Sequence, residues 1–164
     1  MSNSPVIEGA SVADFTHKAL IAPQLSERDA AGVIQELSHL LQQEARIPDL
    51  LPFYHAALNR EFLVSTAMDY GMAFPHARLP GLKQLSFALG RSASPVLWSA
   101  QAVVPIRLVI LTAVPATDAT AYLSLISGLV SRMAKDPRRL EALYAASDAP
   151  GILSIFRQIL VRRG

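Results

Sequence analysis

The sequence has 164 residues and no cysteine, which removes both a disulfide framework and a thiol nucleophile. Histidine is scarce as well. The four residues His17, His39, His55 and His76 are too scattered to form a local zinc motif, so no metal is expected. Long hydrophobic runs are missing too: the best candidate, Val103 to Ala116, is broken by Pro105, Arg107 and Pro115 and falls short of the roughly 20 apolar residues that span a bilayer. That run predicts a buried strand instead, with no direct membrane insertion. The opening MSNSPVIEGASVADF has neither the basic segment nor the apolar segment of a signal peptide, and the cytoplasm is the expected compartment. Charge is nearly balanced, at 15 basic against 13 acidic residues. The basic residues gather only at RMAKDPRR and RQILVRRG, without interleaved aromatics, so nucleic acid is not an expected partner. There is no internal repeat and no long linker.

What is present is a globular composition, 51% apolar and 17% charged, of a length suited to one compact domain. Residues 1–12 are small and polar and are expected to form a flexible leader, leaving 13–164 as the domain. Ser26 and Asp29 are capping residues ahead of Ala30, Val33, Ile34, Leu37, Leu40 and Leu41, whose spacing predicts an amphipathic helix over 27–43. His39 falls on its polar side. Pro48 and Asp49 suit the start of a second helix to about Arg60, with His55 at the border of its apolar face as a packing residue.

The β-branched and apolar stretch FLVSTAM reads as a strand leading into the loop GMAFPHARLPG. QLSFALG and IRLVILTAV are two further strands, the second apolar on both faces and therefore central. RSASPVLWSA between them reads as a loop holding a short extended piece around Val96 to Trp98. Asp118 can cap a helix with Tyr122, Ile126, Leu129, Val130 and Met133 on one face, and two more helices are expected near 137–146 and 152–161. Helices, then strands, then helices predict a layered α/β domain.

His76 is the residue with the clearest chemical potential. A Pro-His pair in a loop is by itself compatible with a structural histidine. Its setting adds a second reading, because Pro75 fixes its own φ and pushes Phe74 toward extended geometry, so the imidazole is presented from a stiff backbone. With an ordinary pKa near 6.5, much of it is neutral at pH 7 and carries the ring-nitrogen lone pair that can attack phosphorus. A phosphoryl group there would need cationic or N–H donors, and Arg60 and Arg78 are the nearby candidates in sequence.

NREFLVST followed by GMAFPHA, Asn59 to Ala77, resembles the signature of enzyme IIA of the fructose/mannitol class of the bacterial phosphotransferase system, nitrogen-regulatory members included. The resemblance extends from about Leu20 to Leu160. It implies a mixed β-sheet with helices on both sides, a three-layer α/β/α domain, and no cofactor. It implies His76 as a residue phosphorylated by the carrier protein HPr, with Arg60 close to the phosphoryl group, and Glu61, Ser65 and Thr66 as hydrogen-bonding braces of the site loop. Arg78 has no clear role in the family. Such a protein serves sugar uptake or nitrogen and carbon regulation, passing phosphate to a IIB protein or acting on a regulatory target. One departure stands out: Tyr122 occupies the position where family members carry a second histidine. A tyrosine can donate one hydrogen bond but cannot become a cation. The alternative is therefore a degenerate IIA-like domain that binds a regulatory partner without being phosphorylated.

Overall fold

The computed structural model describes residues 10–99 and 105–161. After two short 3-10 turns come strand β1 (Ile21–Ala22), helices α1 (Ala30–Gln43) and α2 (Leu50–Leu63), strands β2 (Met72–Ala73), β3 (His76–Leu79), β4 (Ser86–Val96) and β5 (Ile106–Pro115), and helices α3 (Ala119–Leu129), α4 (Pro137–Ala145) and α5 (Ala149–Phe156). Helix α3 runs on into a π-helical turn, Val130–Ala134.

Strand β5 is the centre of the sheet. It pairs antiparallel with β4 on one side and parallel with both β2 and β3 on the other, while β1 extends the sheet beyond β4. Alternation along the strands separates two cores. Phe87, Leu89, Leu108 and Ile110 pack toward α3, α4 and α5 with Leu125, Leu129 and Phe156. Ala88, Val109, Leu111 and Ala113 pack toward α1 and α2 with Val33, Leu37 and Phe53. This is the expected mixed sheet flanked by helices on both sides. The helix over 27–43 starts at Ala30, because Asp29 is its cap: the carboxylate accepts from Gly32 N at 2.7 Å.

Several boundaries differ from the sequence reading. The first nine residues of the expected leader lie outside the described part, but Ala10, Ser11 and Val12 are buried, and Val161 N donates to Ala10 O at 2.9 Å, so the packed unit includes them. FLVSTAM is not a strand. Phe62 and Leu63 complete α2, and Phe62, Leu63 and Val64 are 70%, 81% and 65% exposed, with no neighbouring strand among the described residues to pair them. Extended pairing begins later, inside the segment expected to be a loop.

Met72 aligns with Leu108 and His76 with Thr112 at the same offset, so β2 and β3 form one edge strand interrupted at Phe74–Pro75. An edge is where a residue without an N–H is tolerated. Gly71 enters it at φ 85°, and its carbonyl accepts from Arg107 N at 3.0 Å; an added Cβ would lie 3.1 Å from Pro105 O.

RSASP belongs to β4. Its register shifts between Arg91 and Val96, and Arg107 supplies the missing partners by donating to Ser92 O at 3.2 Å and Ala93 O at 2.9 Å. A bulge bridged by a side chain of the adjacent strand has no local signature. His55 is exposed rather than packed, because α2 buries Phe53, Ala57 and Glu61, four residues apart, and His55 lies off that line. The last helix begins at Ala149 and ends at Phe156, shorter and earlier than expected.

Candidate functional site

Helix α2, the edge strand and the start of α3 meet at one depression of about 470 Å³, lined by Arg60, His76, Arg78, Tyr122 and Leu123 among others. Its floor is built from behind. Glu61 is only 5% exposed, and its carboxylate accepts from Thr66 N at 2.7 Å, Thr66 Oγ1 at 2.8 Å, Ser65 Oγ at 3.3 Å and Trp98 Nε1 at 2.8 Å. A buried carboxylate is tolerated only when donors replace its water, and here four do so. Thr66 Oγ1 in turn accepts from Phe74 N at 2.8 Å. The chain of bonds thus runs from α2 through Thr66 to the peptide that precedes Pro75.

That peptide holds the imidazole. Phe74 O lies 3.2 Å from His76 Nδ1, and Thr112 N donates to Pro75 O at 3.1 Å, fixing the backbone on both sides of the proline. The Tyr122 hydroxyl sits 3.0 Å from the same Nδ1, with the two rings tilted by 34° and 4.7 Å apart at their centroids. Both close polar neighbours therefore occupy Nδ1. No hydrogen-bond partner stands at Nε2 among the described residues.

The electrostatics favour a neutral ring. Partial burial pushes the His76 pKa below its ordinary value and the Arg60 guanidinium adds to this, opposed by the Phe74 carbonyl and by Glu61. Burial also raises the Tyr122 phenol far above its ordinary pKa, so it remains a neutral hydroxyl. Arg60 is half-buried; one of its nitrogens donates to Val64 O at 2.9 Å, which anchors it at the C-terminal end of α2. It takes part in no ion pair among the described residues. A guanidinium held at the rim and unpaired with a carboxylate retains donors for an anion.

Of the residues singled out in the sequence, His76, Arg60, Arg78 and Tyr122 line the depression, and Glu61, Ser65 and Thr66 form the network behind it. His17 and His39 lie elsewhere on exposed positions. Two participants escaped the sequence reading. One is the Phe74 carbonyl, a main-chain group with no side-chain signal. The other is Trp98, the only tryptophan; a buried indole N–H requires an acceptor, and that requirement was the available clue. No group of residues suited to hold a metal ion occurs among the described residues, nor does any helix long and apolar enough to cross a membrane.

The family model for the phosphoenolpyruvate-dependent sugar phosphotransferase system, EIIA 2, matches residues 14–159. The chain belongs to this family. It is 27% identical over 148 residues to the nitrogen regulatory protein of Bradyrhizobium diazoefficiens, covering 88% of this chain and 93% of that one. It is also 27% identical to the 2-O-α-mannosyl-D-glycerate-specific EIIABC component of Escherichia coli over 76% of this chain, and 26% identical to the fructose-specific EIIABC component of Bacillus subtilis over 90% of it. The chain spans 19% and 23% of the length of those two relatives.

Among solved structures, the nitrogen regulatory protein IIA-Ntr of Neisseria meningitidis superposes with a TM-score of 0.77 at 25% identity, covering 88% of this chain and 98% of the other. The E. coli IIA mannitol enzyme, in its complex with phosphorylated IIB mannitol, gives a TM-score of 0.70 at 16% identity over 87% of this chain and 96% of that one. The latter likeness is one of fold. In that complex a IIA domain of this fold pairs with a phosphorylated IIB partner.

Proposed function

We propose that the protein is a histidine phosphocarrier whose acceptor atom is His76 Nε2. The observation that carries this reading is the asymmetry of the ring: Nδ1 faces a fixed carbonyl and a hydroxyl, Nε2 faces none, and a depressed pKa keeps the imidazole neutral. In the transfer step the Nε2 lone pair forms an N–P bond while the N–P bond of a phosphohistidine donor breaks and returns its electron pair to the donor ring. HPr is the donor on this reading, and a IIB protein or a regulatory target is the acceptor or listener. Arg60 meets the charge on the three phosphoryl oxygens, since phosphoryl transfer depends chiefly on positioning and electrostatic stabilisation. Glu61, Ser65 and Thr66 hold the loop and do not touch phosphate. The protein acts in the cytoplasm, and residues from about 10 onward form one such domain.

Nitrogen-regulatory and sugar-specific proteins are both among the relatives, and sugar uptake and regulation are the two functions this chain could serve. The reading is tested by intact-mass measurement after incubation with phosphoenolpyruvate, enzyme I and HPr. Wild type should gain one phosphoryl group and His76→Ala none. Wild type without a mass increase makes the chain a binding module that keeps the family fold alone.

A further inference from the structure

We propose that the depression between the α1–α2 turn and the β3–β4 loop is a binding site for a small organic phosphate, whose phosphate group is held by Arg46 and Lys83. This depression, of about 550 Å³, shares no lining residue with the one around His76. Arg46, Lys83, Gln42 and Gln84 supply its polar side chains, and no carboxylate among the described residues lines it. Of the carboxylates nearby in sequence, Glu44 lies 3.9 Å from His17 Nδ1, and Asp49 starts α2 outside the lining. Neither Arg46 nor Lys83 forms an ion pair among the described residues.

Arg46 is fixed in place at both ends. Helix α1 closes in a Schellman motif, with Ala45 left-handed at φ 56°, Ala45 N donating to Gln42 O at 3.0 Å and Arg46 N donating to Leu41 O at 2.8 Å. The guanidinium then reaches the sheet. Its Nη1 donates at 3.0 Å to the Oγ of Ser86, a residue with no exposed surface. With its amide oxygen turned toward the guanidinium, Gln84 accepts from both Nε and Nη1 at 3.3 Å, which leaves the Gln84 NH2 as a further donor. Arg46 Nη2 has no partner among the described residues. A half-buried guanidinium held in this way has less freedom to lose on meeting an anion than one on an untethered side chain. Lys83, exposed on the facing loop, adds a second charge on a flexible stem.

Two features select an organic phosphate. Two cations with no acid beside them suit a group that carries about 1.5 to 2 negative charges at pH 7. The depression is also far larger than a phosphate group alone, and Ala45, Ile47 and Pro48 give the rest of the ligand an apolar wall; cavities of roughly 300–1,000 Å³ are the size that takes small molecules. A ligand here ties the turn that begins α2 to the loop that leaves β3, the two elements that carry Arg60 and His76. The site does not depend on His76 being the phosphoryl acceptor, because no phosphoryl transfer is involved in it.

The test is titration of the unphosphorylated full chain with glycerol 3-phosphate at constant ionic strength, followed by backbone amide nitrogen-15 correlation spectra. Amides of residues 45–47 and 81–84 should shift saturably with a Kd of about 1 mM or tighter, and glycerol or sodium chloride should not reproduce the pattern. Inorganic phosphate should shift the same amides with weaker affinity. Arg46→Gln should weaken binding about 10- to 100-fold, the range of a hydrogen bond to a charged group, and Lys83→Gln about 2- to 5-fold, as an exposed charge does. Because Arg46→Gln also releases Ser86, Lys83→Gln at its exposed position keeps the test independent of folding. No saturable shift at these amides, shifts confined to the neighbourhood of His76, equal affinity for inorganic phosphate, or unchanged affinity in Lys83→Gln overturns the proposal. None of these results bears on the acceptor reading, which stands or falls on the mass gain lost in His76→Ala.

Discussion

Arg60 and Glu61 are consecutive residues of one helix, yet they serve two polar regions built on opposite rules. Glu61 points inward, is almost fully buried, and meets four donors. Arg60 points to the rim, is half-buried, and spends one bond on its own helix end. The inner region is closed and satisfied, so its value is measured in stability and in the placement of the Phe74 peptide. The outer region keeps unspent donors and an unoccupied ring nitrogen, so on the proposed reading its value is measured in what it does to an arriving anion. A site of this kind needs both, because an unpaired cation is useful only if the group beside it cannot drift.

The comparison breaks most visibly at Arg60. Arg60→Ala should slow phosphoryl uptake on His76 by about 10²–10³-fold, the usual cost of one donor aimed at developing charge, with little loss of stability. Timed intact-mass assays and thermal unfolding on the same samples check this, and a stability loss without a rate loss would move Arg60 to the inner region. Glu61→Ala should do the reverse. It orphans a buried indole N–H, a main-chain N–H and the Thr66 hydroxyl, and should cost about 3 kcal/mol in denaturant unfolding; Glu61→Gln, which keeps two acceptor lone pairs, should cost less.

A third expectation sharpens the contrast through pH. The folded His76 pKa lies below that of the unfolded chain, near 6.5, so the unfolded state binds the proton more readily. The contribution is fully present above pH about 6.5 and is lost as pH falls from there through the lower folded pKa. Wild type should therefore lose more stability than His76→Gln between those limits, by denaturant midpoints at matched pH. The smallest effect is expected at Arg78, exposed on the rim with no partner among the described residues that fixes its direction. Arg78→Ala should change uptake by about twofold or less, as screened surface charges do. A change as large as that of Arg60→Ala would make it a second phosphate contact.

The residues of the site were legible where chemistry is carried by side-chain type and close spacing: the Pro-His pair, the Arg-Glu pair upstream, and Ser65 with Thr66. The helices were legible where caps and apolar periodicity coincide, as at Asp29 ahead of Val33, Ile34 and Leu37. FLVSTAM misled because β-branched composition describes what a pleated surface accepts, not whether a neighbouring strand exists. RSASP misled in the opposite sense. Its small polar residues look like a turn, but Arg107 on the adjacent strand completes the hydrogen bonds that keep it in the sheet.

By itself the sequence determined the layered α/β class, the central β5 and the family, and it singled out the histidine proposed as acceptor, because each depends on local pattern or on a motif a few residues long. Only the tertiary structure decided that Glu61 is an anchor while Arg60 has no carboxylate partner among the described residues, that Trp98 closes the network from 37 residues away, and that Tyr122, 46 residues beyond His76, meets it at Nδ1. The physical reason is common to all three. A side chain's role is set by which partners replace its water, and for these residues the partners come from other elements, brought together by packing the two faces of one sheet.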